Sequence, residues 1–172
     1  MSPISLAMLL PLVLAASPVD GRDGGAQDPL GAVTPLLGTW VAEADARAPG
    51  VTGRASFSRE LGDRVVVRKN HASYPARDGK PAYTHDDLMV LFSEDGRLRA
   101  AYFDNEGHVI RYEVQAPSTS KLVFLSETRP GAPRFRLTYA WPVAGSLELT
   151  FEIAPPGATE FRPYISARLR RE

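Results

Sequence analysis

From Trp40 onward, apolar and polar residues alternate with a period of two rather than the 3.6 of a helix. In "RFRLTYAW", Phe135, Leu137, Tyr139 and Trp141 fall on one face, and Arg134, Arg136 and Thr138 on the other. "LELTFEI" sets Leu147, Leu149, Phe151 and Ile153 against Glu148, Thr150 and Glu152. Such alternation marks antiparallel strands with one buried and one solvated face. Turn sequences punctuate it: "APGV", "LGDR", "SEDG", "DNEG", "APSTS", "RPGAP", "VAGS" and "PPGAT". The pattern predicts ten strands, over 38–47, 51–60, 64–71, 84–92, 97–104, 108–115, 121–128, 134–141, 147–153 and 161–169, with a short helical turn in "DPLGAVTPLLG". Short strands joined by hairpins predict an all-β, antiparallel, up-and-down β-barrel, whose closure removes the sheet edges. A β-sandwich is the alternative.

The stretch "LLGTWVAEA" places Gly38-Thr39-Trp40 at the opening of the first strand, after a short apolar turn. It resembles the Gly-x-Trp start of lipocalin-like (calycin) β-barrels, and the strand rhythm of 36–170 is similar to that of bacterial lipocalin-like barrels of unknown function. In those barrels an Arg of the last strand stacks over the Trp at the closed end. The resemblance gives that part to Arg168 or Arg170. Nitrobindin-like haem barrels share the Gly-x-Trp opening and hold haem through a His near the C-terminal strands. No His follows His108 in this chain, so a barrel without haem is expected and no cofactor is assigned.

Composition narrows the partners. The 172 residues suffice for one domain with a proper core. Twenty Lys and Arg balance twenty Asp and Glu, which speaks against nucleic acid as a partner. The basic ending "ARLRRE" is read as a solvated strand end. Residues 1–17, "MSPISLAMLLPLVLAAS", carry a short apolar run and small residues at Ala15 and Ser17, the pattern of an export signal. The run is too short to span a bilayer. A periplasmic or secreted protein is expected, with no stable membrane insertion once the signal is removed. Residues 18–31, rich in Gly, Asp and Pro, read as a flexible linker, and the barrel domain is expected over 32–172. There is no cysteine, which excludes thiol chemistry, disulfides and iron–sulfur clusters. Nothing in the sequence fixes an oligomeric state.

The candidate chemistry lies in "YTHDDLMVLF" and "AYFDNEGHVIRY". A turn at "SEDG" that faces Phe92 with Arg97 runs back to His85 opposite Asp104, and a turn at "NEG" faces Asp104 with His108. Cross-strand partners share a face. His85, Asp87, Met89, Leu91, Leu98, Ala100, Tyr102, Asp104, His108, Ile110, Tyr112 and Val114 then fall together, and the charges of Arg97, Arg99, Arg111 and Glu113 mark the other face as outer. His85, Asp104 and His108 are expected side by side at the open mouth, with Asp87 and Tyr102 one layer deeper and His71 at the same end.

Asn105, Glu106 and Gly107 are first of all turn residues. Two His and a carboxylate make His85, Asp104 and His108 weak candidates for a divalent metal. Asp104 orienting an imidazole, with Tyr102 as proton donor, would suit acid–base catalysis. A polar rim over an apolar pocket is the third possibility. The expected function is binding or carriage of a small, largely apolar molecule. Its candidate ligand-binding residues are His85, Asp87, Tyr102, Asp104, His108, Tyr112, Phe135 and Leu137. The alternatives are an enzyme using the mouth residues and a filled structural or interaction barrel. No nucleophile elbow, phosphate loop, dinucleotide fingerprint or calcium loop is present.

Overall fold

The computed structural model describes residues 28–115 and 117–172. The expected signal segment 1–17 and the expected linker as far as residue 27 lie outside them. Ten strands follow in order: β1 (Gly38–Ala42), β2 (Thr52–Glu60), β3 (Val65–Tyr74), β4 (Tyr83–Glu94), β5 (Arg97–Asp104), β6 (Val109–Val114), β7 (Lys121–Ser126), β8 (Arg134–Ala140), β9 (Ser146–Ala154) and β10 (Arg162–Arg171). Each pairs antiparallel with its sequence neighbour, and β1 pairs with β10 to close the barrel. The fold is thus the all-β, antiparallel barrel that the period of two predicts. Among the described residues no helix is long and apolar enough to cross a membrane.

The N-terminal end of β1 and the C-terminal end of β10 meet at one end, and a 3-10 helix (Pro29–Leu36) plugs it. Asp28 caps this helix by accepting from the Leu30 amide at 3.0 Å. Leu30, Val33 and Leu36 are buried, and the helix lies against β3, β4 and β5. Leu30 therefore already belongs to the packed fold. Trp40 is buried above the plug and its Nε1 donates to the Leu36 carbonyl at 2.7 Å.

The Arg over this Trp is Arg171, its guanidinium carbon 4.5 Å from the ring centroid. It also donates to the carbonyls of Leu37 and Pro35. Neither Arg168 nor Arg170 takes this place. The cause is a β-bulge between Pro163 and Ile165. One extra residue on β10 exchanges its faces, so Ile165, Ala167, Leu169 and Arg171 carry the inward register while Arg168 meets Glu148 outside at 3.4 Å.

Two further expectations change. β1 ends at Ala42 instead of running to 47, because Asp45 turns the chain: its carboxylate accepts from the Arg47 amide and its carbonyl from the Ala48 amide. The β4–β5 register is two residues off the expected one. Glu94 faces Arg97 across a two-residue turn in which both Asp95 and Gly96 have positive φ, 51° and 70°. Phe92 then faces Arg99, and Asp104 faces Asp87 instead of His85. A slip of two keeps every side chain on its expected face. The β5–β6 register is the expected one, with Tyr102 opposite Ile110 and the Asp104 amide donating to the His108 carbonyl.

The plugged half of the barrel is filled. Phe57, Val66, Met89, Leu91, Leu98, Leu122, Phe124, Tyr139 and Leu147 are buried there around Trp40. Phe57, Phe124 and Tyr139 meet edge to face at centroid distances of 5.6 and 6.1 Å.

Candidate functional site

Above that core the interior opens into a cavity of about 630 Å³. It reaches the surface at the end opposite the helix, between the β1–β2 loop and the β5–β6 turn, past the exposed rings of Tyr83 and Tyr164. All eight residues His85, Asp87, Tyr102, Asp104, His108, Tyr112, Phe135 and Leu137 line it. The two sides differ. Phe135 and Leu137 of β8, Leu149, Phe151 and Ile153 of β9 and Ile165 of β10 make an apolar wall, with the rings of Phe135 and Phe151 stacked at 5.8 Å. The opposite wall, from β3 to β5, carries Arg68, Asn70, His85, Asp87, Tyr102 and Asp104.

At its base is an ion pair the sequence did not single out. Arg68 and Asp87 are both buried, with Nη1 2.8 Å from Oδ1. That approach is off the hydrogen-bond direction, so Oδ1 accepts no aligned bond among the described residues. Oδ2 accepts from Asn70 Nδ2 at 2.9 Å and lies 3.5 Å from Arg68 Nη2 and from His85 Nε2. Burial raises the Asp87 pKa above the ordinary carboxylate value, against the pull of Arg68, Asn70 and His85. Arg68 escaped notice because "VVVRKN" puts valines on both faces, leaving the inward face of β3 undecided. Pairing Ala72 with His85 decides it, and Arg68, Asn70 and Ala72 all line the cavity.

A hydrogen-bonded chain crosses the polar wall toward the mouth. Glu106 Oε1 lies 3.0 Å from His85 Nδ1, and His85 Nε2 lies 3.0 Å from the Tyr102 hydroxyl. Tyr102 donates to Asp104 Oδ2 at 3.2 Å, and His108 Nδ1 meets the same oxygen at 2.9 Å. Burial, then the charges of Asp87 and Asp104, push the Tyr102 phenol far above its ordinary value. The phenol is held in its neutral form, in which its hydroxyl donates to Asp104 and lies within hydrogen-bond reach of His85. Asp104 is the anchor of the turn: Oδ1 accepts from the amides of Glu106 and His108 at 3.1 and 2.8 Å. Gly107, at φ 89°, provides the left-handed residue this turn needs. Asn105 ties the turn to β4 by accepting from the Asp86 amide and donating to the Thr84 carbonyl.

His108 meets Asp104 directly, His85 reaches it only through Tyr102, and the three do not converge on one point. Among the described residues no three His, Asp or Glu side chains are placed to hold a metal ion. His71 is at the same end but on the outer surface, because β3 runs on to Tyr74 with Arg68, Asn70 and Ala72 inward. It pairs there with Asp86 at 2.7 Å.

No protein-family model matches the chain, and no curated protein matches it.

Proposed function

We propose that the protein is an exported, lipocalin-like binder or carrier of a small, largely apolar molecule. The observation that carries this reading is the half-filled interior: an internal space of about 630 Å³ with an apolar wall, above a close-packed base. Ligand pockets of about 300–1,000 Å³ combine such apolar linings with a few placed polar groups, and Arg68, Asn70, Asp87, His85 and Tyr102 are such groups. Gly38-Thr39-Trp40 with Arg171 stacked on the indole supports the lipocalin-like (calycin) assignment. The barrel has two strands more than the eight of a lipocalin. The apolar segment 1–17 supports export.

The test is a titration with an environment-sensitive apolar dye. Wild-type protein is expected to bind one equivalent. Leu149→Trp, which places an indole in the cavity, is expected to weaken binding at least tenfold while the far-ultraviolet circular dichroism stays unchanged. Equal dye binding by both would place the dye on the outer surface and count against the reading.

A further inference from the structure

The base of the cavity indicates the head group of the ligand. Arg68 is 4% and Asp87 9% exposed, and both line the cavity. The pair cancels its own charge, and with Asp87 Oδ1 already 2.8 Å from Arg68 Nη1 the atom of the pair without a partner among the described residues is Arg68 Nε, a donor. Beneath the pair, the Arg68 guanidinium lies 5.9 Å from the centroid of the Tyr139 ring in the filled half. A buried donor in this state is costly, and native structures rarely keep one without a partner.

From this arrangement we infer that the cavity takes an amphiphile with a neutral head group that both donates and accepts hydrogen bonds, such as a primary alcohol or a primary carboxamide, with its tail along the wall of β8, β9 and β10. The inference rests on the binding reading above. A carboxylate head would meet the Asp87 carboxylate, and an ammonium head would meet Arg68. Either would enter a buried place where the protein's charges already cancel, and an unpaired charge there is expensive. A hydroxyl or amide can accept from the guanidinium and donate to the carboxylate without adding charge. The sequence of layers fits this orientation. Going inward along β3 the residues are Ala72, Asn70 and Arg68, so the charged pair lies deepest and the apolar wall extends from it to the mouth.

The experiment is dye displacement at neutral pH with four probes that share a tail: decanol, decanamide, decylamine and decanoate. Decanol and decanamide are expected to bind about tenfold tighter than the two charged probes. Substituting one partner should reverse the ranking in a predictable direction. Asp87→Asn leaves Arg68 uncompensated and should bring decanoate to the top; Arg68→Met leaves Asp87 uncompensated and should bring decylamine to the top. A change of preference with this sign is not produced by loosened packing alone. The double variant Arg68→Met/Asp87→Leu, which removes both head-group partners and buries no charge, should bind decanol about tenfold more weakly than the wild type does. If decanoate or decylamine binds tightest to the wild type, the head-group inference is wrong while the binding reading stands. If none of the four displaces a dye that does enter the cavity, the head-group inference is again overturned. If neither dye nor probes bind, the binding reading falls and the inference with it.

Discussion

Asp104 shows how one side chain links turn, wall and mouth. Burial alone would raise its pKa, but backbone and side-chain hydrogen bonds from His108 outweigh it, and the carboxyl titrates below its ordinary value of 3.8. A carboxyl whose folded value is depressed contributes stability that is present above the unfolded value and is lost as pH falls through the folded one. Wild-type stability in urea is therefore expected to fall as the pH drops below about 4, and Asp104→Asn should show a flatter profile there. At neutral pH the same substitution is expected to cost about 1–2 kcal/mol, because hydrogen bonds to a charged group are lost while the Asn oxygen still caps the turn. A profile of equal slope in both proteins would show that His108 does not hold Asp104 in solution. The grouping of Tyr102, Asp104 and His108 was legible in the sequence, since a four-residue turn and a period of two place them on one face. Arg68 was not, because its strand has valines on both faces and only the neighbouring strand decides which one is inside.

At the scale of elements, β10 decides how the barrel closes. Its bulge turns Arg171 onto Trp40 and frees Arg168 and Arg170 to face outward. Arg171→Ala removes the stack and the hydrogen bonds to the Leu37 and Pro35 carbonyls, and should cost roughly 1–3 kcal/mol in chemical denaturation. Arg168→Ala breaks only an exposed pair with Glu148 and should change stability by less than about 1 kcal/mol. Gly38→Ala is expected to be destabilising for two reasons: φ is 109°, and an added Cβ would lie 2.6 Å from Arg171 Nη1. The resemblance to lipocalin-like barrels implies an Arg of the last strand at this end and points to Arg168 or Arg170, whereas the structure has Arg171 there. A single inserted residue reverses the faces of a strand, and nothing in "RPYISARLRR" announces where it sits apart from Pro163, which cannot donate to the ladder. The β4–β5 hairpin is a milder case. Asp95-Gly96 forms the tighter two-residue turn, and the register moves by two without moving any residue to the wrong face.

Across the whole molecule, the plugged half is closed by packing and the other half encloses the cavity. The period of two predicts the barrel but cannot say how far up the side chains fill it, since that depends on the sizes of residues meeting from all ten strands. Leu147 and Leu149 mark the boundary on one strand: Leu147 is fully buried in the filled half, whereas Leu149 lines the cavity. Leu147→Ala should cost about 2–5 kcal/mol through the void it leaves, and leave ligand affinity nearly unchanged at temperatures where the protein is folded. Leu149→Ala should cost less stability, because its side chain already borders open space, and should alter affinity instead.

The central claim is that this space is occupied by a small molecule. It is tested most directly by native mass spectrometry of the protein purified without detergent from the cells that make it. The account predicts a mass exceeding that of the polypeptide by roughly a few hundred daltons, the size of one ligand filling a pocket of this volume. The excess should be lost on unfolding and absent from Leu149→Trp. A bare polypeptide mass, together with no uptake of decanol or an apolar dye on addition, would contradict it and leave a barrel whose open half holds no ligand.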